Sequence, residues 1–268
     1  MDDTKGPGTP GESGEIVIGE EAQQPAAADG ALVKLHRELS EIVTPVEFTL
    51  NHTLRIIANS VRPVVLERYR RLRTKLIQEG VGSTIRSVMI ASAGPEEGKT
   101  LTTINVALSF AMLSPLKVVV IDGDLRRGSI GQWLGVQSEC PGIGNLLEGT
   151  ARLDEVVKKS DQLPVHFIFA GNSAAAPGEL LEPNQLRMCM RQLAQYFDLI
   201  IIDSPPVNLI TDAQLLAQAS DGIMLVTRAY STKRSALEKA IHDLQGHRIL
   251  GAILNAGGIQ RDYGNNYY

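Results

Sequence analysis

Short runs of aliphatic residues alternate with amphipathic stretches from about residue 64 to residue 254. The aliphatic runs predict buried strands at 87–91, 117–121, 166–170, 198–202, 222–227 and 249–254. Apolar positions with a helical period predict long helices at 64–78, 102–111, 183–196, 211–219 and 231–244, and short ones at 142–148 and 153–159. This alternation predicts an α/β fold, with a mostly parallel sheet flanked by helices on both faces.

The two ends of the chain differ in composition from this middle part. Residues 1 to about 30 are rich in Gly, Pro, Ala and Glu and contain almost no large apolar residues. Such a segment buries too little surface to offset its ordering entropy, and residues 31–60 favour at most marginal helix. We therefore predict a disordered tail over 1–48, one α/β domain over 49–260 and a mobile tail over 261–268.

Residues 93–100 read AGPEEGKT and stand between the first predicted strand and the helix that follows it. In that position the sequence is typical of a phosphate-binding loop, whose backbone N–H groups and helix dipole favour polyanions. Gly98 permits close approach of the backbone, Lys99 places a cation on the phosphates, and Thr100 offers a hydroxyl to Mg²⁺. The strand, loop and helix together predict a P-loop NTPase fold.

Two more predicted strands end in acidic residues. One leads into Asp122-Gly-Asp124 and the other into Asp203. Because ligands bind beyond the carboxyl ends of parallel strands, we expect these carboxylates near the phosphate loop. Asp203 there is typical of a Walker B acid, which holds Mg²⁺ directly or through its waters. Asp122 and Asp124 are suited to divide metal binding and proton acceptance between them, and Arg126 is suited to bind phosphate or an acidic substrate.

The overall composition excludes several classes of partner. The net charge is −4 and aromatic residues make up 4% of the chain. The sequence therefore shows neither the excess of basic residues nor the aromatic residues for base stacking that would predict nucleic-acid binding. The two cysteines have no metal-ligand spacing. The first residues lack a signal-peptide pattern, and no apolar run approaches the roughly 20 residues that span a bilayer, so we expect a cytoplasmic protein.

Three segments together resemble the bacterial tyrosine kinases, namely 93–100 (AGPEEGKT), 118–128 (VVVIDGDLRRG) and 199–207 (LIIIDSPPV). Residues 141–149, 177–181 and 249–255 also resemble family segments, so the likeness covers about 60–268. Ala93 and Glu96 depart from the usual phosphate loop, and Gly123 stands where the family's Walker A′ motif usually has another small residue.

The resemblance implies an ATP- and Mg²⁺-dependent tyrosine kinase that controls polysaccharide synthesis and export. Its catalytic residues would be Lys99, Asp122 and Asp124, with the roles of the two acids interchangeable at this stage. Mg²⁺ would be held by Thr100, Asp122, Asp124 and Asp203. Nucleotide would be bound by residues of the loop and by three residues outside it: Gly94, Pro95, Glu96, Glu97, Gly98, Lys99, Thr100, Leu101, Arg126 and Asn255.

The resemblance also implies a ring-shaped oligomer that phosphorylates itself. Glu67, Arg70 and Arg73 fit the family's ExxRxxR motif on one helix face, where they would pair with a neighbouring subunit. Three of the six tyrosines, Tyr263, Tyr267 and Tyr268, fall among the last six residues. A mobile tail that carries them is suited to be the phosphate acceptor in an adjacent copy.

The resemblance also implies a partner. Many family members are fused to a transmembrane, chain-length-determinant-like module, and we expect this chain to correspond to the cytoplasmic part alone. We therefore expect a separate membrane protein of that kind as activator, which would hold the kinase at the inner membrane.

Two other functions remain open from the sequence. One is a MinD/ParA-like ATPase switch, a class that usually has a second lysine where Gly94 stands here. The other alternative is a non-catalytic nucleotide-binding regulator, against which the complete set of Lys99, Thr100 and three aspartates argues.

Overall fold

A computed structural model describes residues 43–48, 57, 63–112, 116–136, 140–159, 161–173 and 175–257. Within these ranges an eight-stranded sheet is formed. Its strands are β1 (Thr44–Pro45), β2 (Ser87–Ser92), β3 (Val118–Asp122), β4 (Lys158–Lys159), β5 (His166–Ile168), β6 (Leu199–Asp203), β7 (Gly222–Arg228) and β8 (Ile249–Asn255).

Nine helices accompany the sheet in the described part of the chain. They are α1 (Pro63–Gln78), α2 (Lys99–Ala111), α3 (Ser129–Trp133), α4 (Ile143–Glu148), α5 (Leu153–Val156), α6 (Pro177–Leu180), α7 (Pro183–Leu193), α8 (Asp212–Gln218) and α9 (Arg234–Asp243). No helix among the described residues is both long and apolar enough to cross a bilayer.

The sheet is mostly parallel and has the order β1-β4-β5-β3-β6-β2-β7-β8. Only β4 and β5 pair antiparallel within it. The central strands β2, β3 and β6 are buried at every position, which fits strands that are covered on both faces. The predicted α/β architecture is therefore confirmed.

Alternate residues of the central strands supply two separate hydrophobic cores. Met89 and Ile121 face a core that also contains residues of α4, α7, α8 and α9. Val88 and Val120 face a second core, which contains residues of α1, α2 and α3. Helices thus cover both faces, and the period-2 alternation of side chains assigns each strand residue to one core or the other.

Two boundaries predicted from the sequence were wrong. The predicted N-terminal tail extends too far, because Thr44–Pro45 pair with β4 and Phe48 is buried against Phe167 and Phe169. The helix predicted at 153–159 ends at Val156, because Val157 is extended and the next two residues pair with β5. Helices α3 and α6 were not predicted, since each spans barely one turn and shows no helical period.

Candidate active site

The phosphate loop connects β2 to α2 and has an unusual backbone. Gly98 has a φ of +87° and Glu96 a φ of +58°, both in the left-handed region. A Cβ at residue 98 would collide with the Asn255 side-chain amide, so this position requires glycine for space as well as for conformation. Gly98 is the N-cap of α2 and offers no side chain to its first N–H groups. Those N–H groups are suited to bind an anion.

Asp203, at the end of β6, is the centre of the polar site. Its side chain is fully buried, and Oδ1 accepts hydrogen bonds from Lys99 Nζ at 2.8 Å and from Thr103 Oγ1 at 3.0 Å. Oδ2 accepts from Thr100 Oγ1 at 2.7 Å. The predicted Walker B acid therefore lies directly against the lysine and threonine of the phosphate loop. Thr103 was missed by the sequence analysis, although it lies one helical turn after Lys99.

Asp122 ends β3 directly beside Asp203, and the two residues are register partners across the strand pair. Its Oδ2 accepts a hydrogen bond from Ile130 N at 2.8 Å, at the start of α3. Burial, and secondly the Asp203 carboxylate, raise the pKa of Asp122 to about 7. A carboxyl group with a pKa near neutrality is well matched to accept a proton at physiological pH.

Gly123 brings the two strand ends unusually close. Its N–H donates to Asp203 O at 2.8 Å, and a Cβ at this position would lie 2.9 Å from the same oxygen and 2.8 Å from Leu216 Cδ1. An alanine would therefore force the backbone of β6 to move and the Leu216 side chain to change its position. This explains in physical terms why glycine stands at a position where the sequence resemblance led us to expect another small residue.

Asp124 and Arg126 lie in the loop after β3. Asp124 Oδ1 accepts from the backbone N–H groups of Arg126 and Arg127 at 3.3 and 3.2 Å. The Arg126 guanidinium donates from Nε and Nη2 to the two carboxylate oxygens of Asp212, at 2.9 and 3.3 Å. Arg126 was predicted to bind phosphate or substrate, and the structure shows that an internal carboxylate at the start of α8 orients it.

Glu97 connects the phosphate loop to the loop after β7. This residue is buried, and its Oε2 accepts from Ala93 N at 3.0 Å while Oε1 accepts from Thr232 Oγ1 at 2.6 Å. Arg228 Nη1 donates to Glu96 O at 2.9 Å, and Asn255 Nδ2 donates to Glu97 O at 2.9 Å. We call these contacts the loop brace. Of the side chains in the loop brace, the sequence analysis selected Asn255 and the two glutamates, as residues that would bind nucleotide.

Replacing Thr232 with Val tests the loop brace. Valine keeps the shape but removes the hydroxyl that donates to Glu97 and accepts from the Arg228 backbone N–H. We expect nucleotide affinity to fall roughly 10-fold or more, because a hydrogen bond to a charged group is lost together with the bond to Arg228. Titration with a fluorescent ADP analogue measures this. Thr232→Ser retains the hydroxyl and serves as the control, so equal weakening by both variants would contradict the role of the bond.

The four residues predicted to hold Mg²⁺ fit that ion. Thr100, Asp122, Asp124 and Asp203 all lie at the carboxyl edge of the sheet, and hydroxyl and carboxylate oxygens are the ligands that Mg²⁺ accepts. No group of three or more His, Cys, Asp or Glu side chains is preassembled as a metal cage among the described residues. Mg²⁺ usually keeps several waters and takes further ligands from phosphates, so these four residues would supply only part of its coordination.

The remaining predicted residues lie on α1, in or next to the phosphate loop, or outside the described residues. Glu67 and Arg70 are exposed on α1, whereas Arg73 donates to Ser109 O of α2 in the same chain. Pro95 and Glu96 are exposed at the tip of the phosphate loop, Gly94 accepts from Ser92 Oγ, and Leu101 packs against the core. The three predicted acceptors, Tyr263, Tyr267 and Tyr268, lie outside the described residues.

Fold and site together define a P-loop protein with paired strand-end carboxylates, and comparisons with known proteins agree. Residues 85–249, more than half of the chain, match the family model described as an AAA domain. The tyrosine-protein kinase YwqD of Bacillus subtilis is 30% identical over 204 residues, which cover 75% of this chain and 85% of YwqD. The kinase domain of the Escherichia coli tyrosine kinase ETK superposes with a TM-score of 0.70 at 27% identity, covering 86% of this chain and 97% of that domain.

The chain therefore belongs to the bacterial tyrosine kinase family, as a nucleotide-binding protein-tyrosine kinase. It spans about a quarter of the length of another relative, the tyrosine-protein kinase ptk of Acinetobacter johnsonii, which is 30% identical over 194 residues (26% of ptk). The septum site-determining protein MinD of Pyrococcus horikoshii shares the fold less closely, with a TM-score of 0.54 at 26% identity.

Proposed function

We propose that this protein is an ATP- and Mg²⁺-dependent autokinase whose acceptors are the tail tyrosines Tyr263, Tyr267 and Tyr268 of an adjacent copy. Its activity would regulate the synthesis and export of a capsular or extracellular polysaccharide. The observation that carries this proposal is the pairing of Asp122 with Asp203 in register, beside Lys99 and Thr100.

Each side chain has a defined task in phosphate transfer. Lys99 and the N–H groups at the start of α2 would bind the β- and γ-phosphates of ATP, and Thr100 and Asp203 would hold the metal ion. When bound, Mg²⁺ neutralises phosphate charge and helps to align the γ-phosphate. The loop brace holds the backbone donors in place beforehand, so they need little rearrangement during the reaction.

The acceptor phenol loses its proton as its oxygen bonds to the γ-phosphorus. The bond from that phosphorus to the bridging oxygen of ADP breaks, and ADP leaves with the electron pair. We assign the proton to Asp122, since burial raises its pKa to about 7. Asp124 would then complete the metal site. Positioning and charge neutralisation supply most of the acceleration in reactions of this class.

Assembly and location are part of the same proposal. Glu67 is exposed on α1 and forms ion pairs with Arg70 and Arg71 of the same chain, which a neighbouring subunit would have to exchange for its own contacts. Arg73 helps to fix α1 onto α2. We propose a ring of identical subunits in the cytoplasm. A separate membrane protein resembling chain-length determinants would activate the ring and hold it at the inner membrane.

Replacing Tyr263, Tyr267 and Tyr268 together with Phe tests the acceptor assignment. We expect the purified variant to lose most of its autophosphorylation, because Phe keeps the ring but lacks the attacking oxygen. Incorporation of labelled phosphate and tandem mass spectrometry measure this, with Tyr196→Phe as the matched control. Unchanged incorporation would place the acceptor elsewhere, and ATP hydrolysis without any phosphotyrosine would favour a MinD/ParA-like switch.

A further inference from the structure

The side chain of Tyr230, in the loop that follows β7, lies fully in solvent. Its relative exposure is 101%, the largest among the exposed large hydrophobic residues in the described part of the chain. Its φ of +60° is in the left-handed region, which is unfavourable for a residue that carries a Cβ. Non-glycine residues held in this region cluster at sites that bind ligands. A tyrosine that neither packs against the protein nor relaxes its backbone is therefore a candidate for binding a ligand.

Hydrogen bonds of neighbouring residues fix the loop that carries Tyr230. Arg228 N donates to Thr232 Oγ1 at 2.8 Å, and Thr232 N donates to Arg228 O at 2.9 Å, so the two ends of a tight turn are joined. Ala229 N donates to Asn255 O at 2.8 Å, which connects the turn to β8. Arg228 and Thr232 also bond the phosphate loop as part of the loop brace. The ring is thus held beside the phosphate loop by the backbone around it.

Strand order determines which part of a nucleotide lies on this side of the phosphate loop. The loop follows β2, and the sheet order β3-β6-β2-β7-β8 places Asp122 and Asp203 on one side of it and the loops after β7 and β8 on the other. The phosphate that is transferred has to lie near the two carboxylates, since reacting groups must be held in contact. The ribose and the base of the same nucleotide then extend toward the opposite side, where Tyr230 and Asn255 lie.

The side chains on that side differ in how far they can contact a base. The Asn255 amide is engaged at both ends, since Nδ2 donates to Glu97 O at 2.9 Å and Oδ1 accepts from Ala256 N at 2.8 Å. Tyr230 is the only aromatic residue among the described residues of the two loops. Aromatic rings bind nucleotide bases by stacking on their faces. The exposed ring of Tyr230, rather than the Asn255 amide, is therefore suited to hold the base.

We propose that Tyr230 stacks on the purine base of the bound nucleotide and is the base-binding residue of this site. Because every base offers an aromatic face, the stacked ring strengthens binding of any purine nucleotide and does not by itself select adenine. The proposal deepens the proposed function and rests on it, because the direction of the nucleotide follows from the place where phosphate is transferred.

Removing the ring tests the assignment. Tyr230→Ala removes it, and Tyr230→Phe keeps it without the hydroxyl. Leu209→Ala is the matched control, because Leu209 is also an exposed large side chain but lies in the loop after β6. Each full-length variant is titrated by calorimetry with ADP and Mg²⁺ and, separately, with inorganic tripolyphosphate, which has phosphates but no base. We expect Tyr230→Ala to weaken ADP binding at least about 5-fold, as for the loss of one stacked base, and to leave tripolyphosphate binding within about 2-fold. Tyr230→Phe and Leu209→Ala should bind both ligands like the unmodified chain.

The possible results separate this contact from the proposed function. ADP affinity that is unchanged in Tyr230→Ala overturns the base contact, and so does an equal loss for ADP and tripolyphosphate, because Tyr230 would then support the phosphate loop. ADP binding as weak in Tyr230→Phe as in Tyr230→Ala would assign the effect to the hydroxyl and overturn the stacking. If the unmodified chain binds ADP but forms no phosphotyrosine from ATP, the proposed function is overturned, whereas the titrations still decide the base contact.

Discussion

Lys99→Met is expected to abolish phosphotyrosine formation by the purified protein, with a loss of at least about 100- to 1000-fold, as when a charge-stabilising donor is removed from an active site. The Lys99 ammonium lies 2.8 Å from Asp203 at the start of α2, so it is placed to balance phosphate charge at the loop. Methionine keeps the length of the side chain and removes only the cation. Anti-phosphotyrosine detection after incubation with ATP and Mg²⁺ provides the measurement.

The same variant has a second consequence, for stability. Removing Lys99 leaves Asp203 buried with only the two hydroxyl donors of Thr100 and Thr103, so we expect some loss of stability together with a retained fold. Lys158 is a buried lysine away from the site, bonded to Glu155 O, and Lys158→Met is the matched control. Full phosphorylation of Lys99→Met, in the absence of other kinases, would exclude the proposed site, and so would an equal loss of activity in Lys158→Met.

Asp122→Asn is expected to stop phosphate transfer and, at the same time, to stabilise the nucleotide-free protein at pH 8. Burial raises the pKa of Asp122 to about 7 in the folded state from 3.8, so the unfolded chain releases this proton at lower pH. Stability therefore falls as pH rises between about 4 and 7, and the cost at pH 8 is on the order of 4 kcal/mol. Asparagine cannot ionise, and the variant should avoid most of this cost.

Urea unfolding at pH 5 and pH 8, without nucleotide or metal, measures the pH effect. We expect the free energy of unfolding to drop less between these pH values in Asp122→Asn than in the unmodified protein. Asp161→Asn, at an exposed turn, removes a carboxylate outside the site and is the control. An Asp122→Asn variant that loses as much stability as the unmodified chain between pH 5 and pH 8 would show that Asp122 has no raised pKa.

Those parts of the site that depend on local sequence were predictable. The eight residues AGPEEGKT predict both the phosphate loop and the start of the helix that follows it. The aliphatic runs that end in Asp122 and Asp203 predict that both carboxylates lie at the carboxyl ends of parallel strands. Asp122 and Asp203 are register partners because β3 and β6 are neighbours in the sheet. The pattern of apolar residues does not predict which strands are neighbours. The roles expected for Lys99, Asp122 and Asp203 came from the resemblance to bacterial tyrosine kinases, and the comparisons confirmed that family.

Contacts between distant segments were not predictable. Thr232 lies 135 residues from Glu97, and Asp212 lies 86 residues from Arg126, so no spacing rule brings either pair together. The paired strand at Thr44–Pro45 was missed for a related reason, since two residues are too few to show a period and their partners lie more than a hundred residues later. Contacts between segments that are far apart in the sequence form only when the whole sheet has folded, so local sequence patterns do not predict them.

The edge position of β8 limits how far the proposed acceptor tail can reach within its own subunit. Four interstrand steps separate β8 from β3, which ends at Asp122, a span of about 19 Å. Tyr263 follows Asn255 by eight residues, which extend over about 26–29 Å when fully stretched. A path within the same copy would need the chain stretched to at least about two thirds of its full length along the catalytic edge, whereas a neighbour that places its own β3 nearer to this β8 would leave the chain slack. Subunit arrangement, rather than tail sequence alone, would then decide which tyrosines receive phosphate.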